Sequence, residues 1–475
     1  MYDRMHTLAR EDLEQIHGAS LEILKNTGIA FFEPRALSLF KDNGFRVENN
    51  TVFFSEQQIA RALSCAPPRF TLHARNPEHD VVIGEDDFVF IPALGAPFIA
   101  MPDGTLRPGT MEDYRIFCKL AQSSPHIDMN GYLMVEPADV PPETAGLDMV
   151  LANLLLCDKP FMGCQTNRQI ATDLIEMLAI AFHDGAKEKV KDKTCTVSLI
   201  NALSPLQYSE EMAGALIELA THGQAVVIAN MVIGGTSGPV PLPGIMALLN
   251  AEVLGGIVLA QLINPGTPVI YGSTSTITNF KTGAALVGAV EQAQLVSLTA
   301  QLARFYKLPS RSGGGLCDAH LPDAQAGYQS GMLLMTAVRN GVNFILHSCG
   351  QMAGHLSISF EKFLIDEEFC GMLRKLIKPV EMNSDNLDVA TITEIGIGGQ
   401  YLTHPKTFKL CRSEYFQPLL FNHANHDTWS AAGSLRIDET ARKVLDKRLE
   451  EYRQPEMDPT IQQKLIDYVN SRKGI

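Results

Sequence analysis

The chain has 475 residues, 45% of them hydrophobic and 19% charged, with a net charge of −14; this is the balance of a globular protein with a large core. Its length sets a soft expectation of about three domains, although barrels of about 250 residues and more form a single one. No basic stretch offers a phosphate footprint, which argues against a nucleic-acid binder.

In chain order, residues 11–26 carry Leu13, Ile16, Ile23 and Leu24 at helical spacing and stop at Thr27-Gly28. Ser55-Glu-Gln-Gln58 reads as a capping box ahead of a helix over 59–65, which Pro67-Pro68 ends. Residues 70–99 alternate short strand-like pieces with turns, a small α+β region ahead of the main body. From Asp128 a rhythm sets in. Apolar runs rich in β-formers at 130–135, 159–163, 194–199, 225–232, 268–272, 309–313 and 342–346 alternate with helical segments at 146–157, 169–183, 209–221, 245–263, 286–306 and 324–340. Strands alternating with helices predict a parallel α/β sheet, here a (β/α)8 TIM-type barrel, with a doubly wound open sheet as the alternative. The eighth strand is either 88–92 or a segment near 389–397. No early G-x-G-x-x-G supports a dinucleotide-binding version.

Residues 245–263 are long and apolar enough to span a membrane, but they include Asn250, Glu252, Gly255-Gly256 and Gln261. A mid-span charge costs roughly 3 kcal/mol, so the segment reads as a buried barrel helix and no membrane association is expected. Beyond Pro379 a polar, irregular stretch over 383–413 precedes charged helices at 438–452 and 460–472, suited to packing or to contacts in a homo-oligomer. The expected division is 1–125 as a helical and α+β extension, 126–380 as the barrel core, and 381–475 as a C-terminal helical extension. Nine cysteines, Cys164 among them, include no C-x-x-C pair, so neither structural zinc nor a redox dithiol is signalled. With no apolar run at Met1-Tyr-Asp-Arg-Met-His6, reduced thiols and a cytoplasmic location are expected.

The most informative text is Arg311-Ser-Gly-Gly-Gly-Leu-Cys-Asp318-Ala-His320 with His347-Ser-Cys349-Gly350. Strand, glycine loop, helix, strand and polar residue form one βαβ unit, which places Arg311 and His347 on neighbouring strands where barrels bind ligands. A guanidinium fork matches a carboxylate; the alternative for Arg311 is a structural ion pair with Asp318 or Asp323. His347 is a second donor to the same anion, a general base, or a metal ligand, the last disfavoured without a second histidine at i+4. Cys349 reads as a small buried residue. Asn201, Asn230 and Ser273-Thr-Ser-Thr276 also follow strands, and together these residues outline one rim. Of the aromatic residues Phe98, Tyr132, Tyr208, Tyr271 and Phe360, the first and last are the preferred walls for a quaternary ammonium. Gly234-Gly-Thr-Ser-Gly-Pro-Val-Pro-Leu-Pro243 lacks the lysine of a phosphate loop and reads as a stiff loop over the barrel mouth. Asp323 reads as an N-cap.

Asn201-Ala-Leu-Ser-Pro-Leu206, Gly234-Gly-Thr with Ala251-Glu252, Gln301-Leu-Ala-Arg-Phe-Tyr-Lys-Leu-Pro309, Gly313-Gly-Gly, Asp323-Ala-Gln-Ala-Gly-Tyr328, Ser359-Phe-Glu-Lys362 and Gly398-Gly-Gln-Tyr-Leu-Thr-His404-Pro span nearly the whole chain. Together they resemble the trimethylamine methyltransferase family, among its members that lack pyrrolysine. The resemblance implies a (β/α)8 barrel that moves a methyl group from a methylated amine to the Co(I) corrinoid (cobalamin) of a separate small protein, with no cofactor held tightly by the barrel itself. A quaternary amine already has a neutral leaving group and needs no covalent activation, so a betaine is implied, nearest to glycine betaine giving dimethylglycine. Arg311, His347, Phe98, Phe360, Tyr132, Asn201 and Tyr271 are then the expected substrate contacts, acting by positioning alone. The alternatives are another betaine (carnitine, proline betaine, butyrobetaine), a barrel that binds betaine without catalysis, or an acid/base site using His347 and Asp318.

Overall fold

A computed structural model describes residues 4–163 and 167–474; Cys164 lies outside them. At its centre is a seven-stranded, all-parallel sheet in the order Val89–Phe90, Phe344–Leu346, Ser310–Gly313, Val269–Gly272, Ala225–Ala229, Thr196–Asn201, Phe161–Met162. The core strands are buried along nearly their whole length, as a sheet covered on both faces requires. Between its two edges runs the segment around Asp128 and Asn130. Asp128 N–H donates to the Phe90 carbonyl (3.1 Å), Asn130 N–H to that of Pro160 (2.8 Å), and Met162 N–H to that of Asn130 (3.0 Å).

Helices follow the strands at Pro142–Leu156, Arg168–His183, Glu210–Thr221, Leu242–Ile263, Val290–Phe305, Ala324–Arg339 and Phe360–Ile377. Leu242–Ile263 is a core helix: all but the first few and last few of its residues are buried. Its polar groups are satisfied inside the protein. Gln261 donates to the Thr267 carbonyl (2.8 Å) and accepts from Gly266 N–H (2.8 Å). The Glu252 carboxylate accepts from Ser204 Oγ (2.8 Å), Leu206 N–H (2.8 Å) and Asn230 Nδ2 (2.7 Å). Gly256 is obligatory, because a Cβ there would stand 2.3 Å from the Tyr208 hydroxyl.

The structure decides between the two candidate strands, 88–92 and 389–397. Val89–Phe90 pairs with Phe344–Leu346, so the main sheet takes an edge strand from inside the 1–125 segment, whereas Val389–Ile395 is a helix. The N-terminal helix Arg10–Asn26 packs on Leu242–Ile263, and the strand Ile29–Phe31 pairs in parallel with Gln207–Tyr208, which ties the N-terminal unit to the body. Ser55 and Gln58 form the expected capping box of Glu56–Cys65. The C-terminal helices Ile437–Glu451 and Pro459–Lys473 are riveted on by Arg448–Glu367 (2.6 Å) and Arg472–Asp173 (2.8 Å).

The loops at the carboxyl ends of the strands fold into two small sheets. One joins Ile233–Gly234, Thr276–Thr278 and Ala285–Leu286. The other joins Gln351–Met352, Ser357–Ile358, Phe98–Ala100 and Leu106–Pro108. Both rise from strand carboxyl ends, so they cover that edge of the main sheet.

Candidate substrate site at the carboxyl edge

Arg311 pairs with Phe344 across the sheet, and His347 follows Leu346 directly, three residues further towards the carboxyl edge of the adjacent strand. Glycine makes this closeness possible. A Cβ on Gly314 would stand 2.8 Å from the Leu346 carbonyl oxygen, and one on Gly315 equally close to that of Ser348. Gly315 N–H then donates to the His347 carbonyl (2.7 Å).

His347 itself takes a left-handed backbone (φ 62°), a conformation that costs a non-glycine residue about 1–3 kcal/mol and persists only where its surroundings impose it. Here they do. His347 N–H donates to Pro92 O (3.2 Å), Ser348 N–H to Ile91 O (2.8 Å), and Gly350 N–H to Asp366 Oδ2 (2.9 Å). His347 Nδ1 is held between Leu94 N–H and Gln351 Oε1, each at 3.2 Å. Burial, with help from His355 and the Arg311 charge, holds His347 well below its ordinary pKa, so the ring is neutral.

The Arg311 side chain is the largest fully buried one in the protein, with the residue only 1% exposed. Its Nε has no hydrogen-bond partner, and no carboxylate among the described residues pairs with it. Burial pulls its pKa down to about 10. The structural ion pair considered from sequence does not form. Asp318 accepts from Val287 N–H (3.1 Å) and Gly288 N–H (2.9 Å), and Asp323 caps its helix through Gln325 and Ala326. No hydrogen bond joins Asp318 to His347 among the described residues. A buried cation left unpaired is strongly unfavourable.

Beneath this edge lies a buried ion pair. Lys362 Nζ contacts both Asp366 oxygens at 2.6 Å and donates to Ser330 Oγ (2.8 Å), whose hydroxyl donates to Gly315 O (2.9 Å). Because Asp366 also accepts from Gly350, one strut holds both the loop after Arg311 and the turn after His347.

Phe98 pairs with Ser357 and is half-buried in the sheet that covers this edge. The other expected contacts are placed elsewhere. The Tyr271 hydroxyl donates to Asn250 Oδ1 (2.8 Å), so its ring points away from the site, into the layer between sheet and helices. Phe360 stacks on Phe117 (ring centroids 4.6 Å apart) in a helix–helix contact. Tyr132 is buried with its hydroxyl against Gly146 of the helix Pro142–Leu156. Asn201, by contrast, stands exposed at the carboxyl end of its strand, on the same edge of the main sheet. Cys349 is buried, its thiol held well above the ordinary pKa by burial, as expected of an inert residue. Sequence reasoning missed His355, whose ring stands 4.9 Å from that of His347 at a steep angle (67°). The signal available was a second histidine shortly after the same strand. Among the described residues no cluster of three or more ligating side chains could hold a metal.

The fold and this edge define an α/β protein with a buried, unpaired guanidinium near the carboxyl ends of parallel strands. Residues 1–474 match the trimethylamine methyltransferase (MTTB) family, and the chain belongs to it. It is 43% identical over 469 residues to a glycine betaine methyltransferase of Desulfitobacterium hafniense (strain Y51), covering 99% of this chain and 97% of that protein. It is 31% identical to a proline betaine:corrinoid methyltransferase of Eubacterium limosum, covering 98% and 97% of the two chains. It is 30% identical to the trimethylamine methyltransferase MttB of Methanosarcina thermophila, covering 93% and 92%. In fold it is similar to the Methanosarcina barkeri monomethylamine methyltransferase MtmB, with a TM-score of 0.50 at 11% identity over 94% of this chain and 89% of that one.

Proposed function

We propose that this protein transfers a methyl group from glycine betaine to the Co(I) corrinoid of a separate partner protein, releasing dimethylglycine. The bare Arg311 guanidinium carries this reading. The ligand's carboxylate takes the guanidinium and His347 Nε2–H, and Phe98 lies against the quaternary ammonium. Transfer breaks one N–CH3 bond, leaves the bonding pair on the departing tertiary amine, and gives the methyl carbon to the partner's cobalt. No proton moves, so no general acid or base is required. The chain's contribution is orientation, with the carboxylate fixed at the strand edge and one methyl turned outward.

We further infer that the main sheet closes into a (β/α)8 barrel through the segment around 128–130, whose hydrogen bonds to both edges support that reading. The eight free cysteines described fit a reducing cytoplasm. The exposed apolar side chains between 376 and 419 fit a homo-oligomer. The deciding experiment is methyl transfer from glycine betaine in the presence of the reduced corrinoid partner, with longer betaines and trimethylamine run in parallel. Turnover of trimethylamine alone, or of none of them, would refute the assignment.

A further inference from the structure

His355 is a chemically able residue that this reading leaves unused. It lies in the turn joining Gln351–Met352 to Ser357–Ile358, where Ala353, Gly354 and His355 are left-handed in succession (φ 50°, 63° and 73°). Such strain persists where contacts impose it. Ala353 N–H donates to Ala319 O and Gly354 N–H to Cys317 O, each at 3.0 Å, which pins the turn onto the loop following Arg311. Part of His355 is accessible, yet its Nε2 is enclosed and without a hydrogen-bond partner. Its ring faces that of His347, and the Arg311 charge is felt by both rings. Three polar groups on three different segments thus lie close to one another. In the same covering sheet, the hydroxyl of Ser357, which pairs with Phe98, is likewise buried without a partner.

We propose that His355 is a specificity-determining residue of this site, its Nε2–H donating to the ligand's carboxylate beside Arg311 and His347. The inference rests on the betaine reading and deepens it. One fixed cation with two neutral donors matches a monoanion. A carboxylate offers about four lone-pair sites, enough for a guanidinium fork and both imidazoles. The hydroxyl of choline carries no charge to offset the guanidinium and too few lone pairs to serve all three groups. His355 therefore widens the preference for a carboxylate-bearing quaternary amine over its alcohol.

The test uses the full chain with His355→Phe, which keeps a ring but removes the donor, His355→Ala as a second route should the first not fold, and His355→Gln, which restores a donor. Binding of glycine betaine and of choline is measured by calorimetry, and methyl transfer is measured with the reduced corrinoid partner. In the first two variants the betaine Kd and KM should rise about tenfold to thirtyfold with kcat nearly unchanged. The ratio of betaine to choline affinity should shrink alongside. His355→Gln should recover most of the loss. Wild-type betaine affinity in His355→Phe or His355→Ala, or a loss confined to kcat, overturns this inference while leaving the proposed function standing. A wild-type protein that binds no betaine overturns both.

Discussion

Arg311 is buried without a partner, and that has a measurable consequence for the unliganded protein. Replacing a buried, uncompensated charge with an apolar chain of similar reach removes a desolvation cost. Arg311→Met is therefore expected to raise the melting temperature of the free protein while abolishing the rise that glycine betaine causes in the wild type. Charge-assisted hydrogen bonds contribute about 1.5–3 kcal/mol each, so betaine affinity should fall roughly tenfold to over a hundredfold. Calorimetric scans with and without ligand read both effects. The two histidines predict a pH dependence. His355 is lowered from the ordinary 6.5 to about 4, and His347 well below 6.5. Both are neutral in the fold, while the unfolded chain takes up protons as the pH drops below 6.5. Their contribution is thus fully present above 6.5 and fades as the pH falls towards about 4. Urea midpoints measured across that window should fall less steeply for His355→Phe than for the wild type.

At the scale of elements, the strut Lys362–Asp366 decides whether the loop after Arg311 and the turn after His347 stay together. Breaking a buried pair by removing one partner leaves an uncompensated charge and costs about 3–5 kcal/mol, whereas replacing both with apolar residues is often close to neutral. Lys362→Met should lower stability by that amount in urea titrations. Lys362→Met with Asp366→Leu should regain most of it, yet bind betaine more weakly, because Gly350 N–H has lost its acceptor. The main strands and helices were legible because their apolar runs are long, and Arg311 and His347 were legible as polar residues at the ends of two such runs. Which face a side chain takes was not: in strands buried on both faces, such as Val269–Gly272, apolar residues fill both sides. Tyr271 therefore looked like a rim residue, although Asn250 draws it outward. The strands of the covering sheets are two or three residues long, too short for any alternation to show. The turn that carries His355 back over His347 was hidden for the same reason.

At the scale of the whole molecule, more than half of the large hydrophobic side chains left exposed among the described residues fall between Leu376 and Leu419, under a tenth of the chain. Val380, Met382, Val389 and Leu402 stand well out from the surface there, and Ile397 is wholly exposed. Apolar side chains left exposed in such number mark an interaction site. We infer that a second copy of the chain covers it. Across 376–415, Lys378, Lys406, Lys409 and Arg412 stand beside Glu381, Asp385, Asp388, Glu394 and Glu414, so both signs are present to pair across such a contact. Light scattering coupled to gel filtration should accordingly give at least twice the mass of one chain. Val380→Asp combined with Ile397→Asp should shift the protein to the single-chain mass. These side chains contact no core, so the melting temperature of that variant should change little apart from what the lost interface contributed, and betaine affinity per chain should hold, because Arg311 and His347 sit in the body of each copy. A wild-type protein that elutes as one chain at all concentrations would leave the apolar surface to another partner.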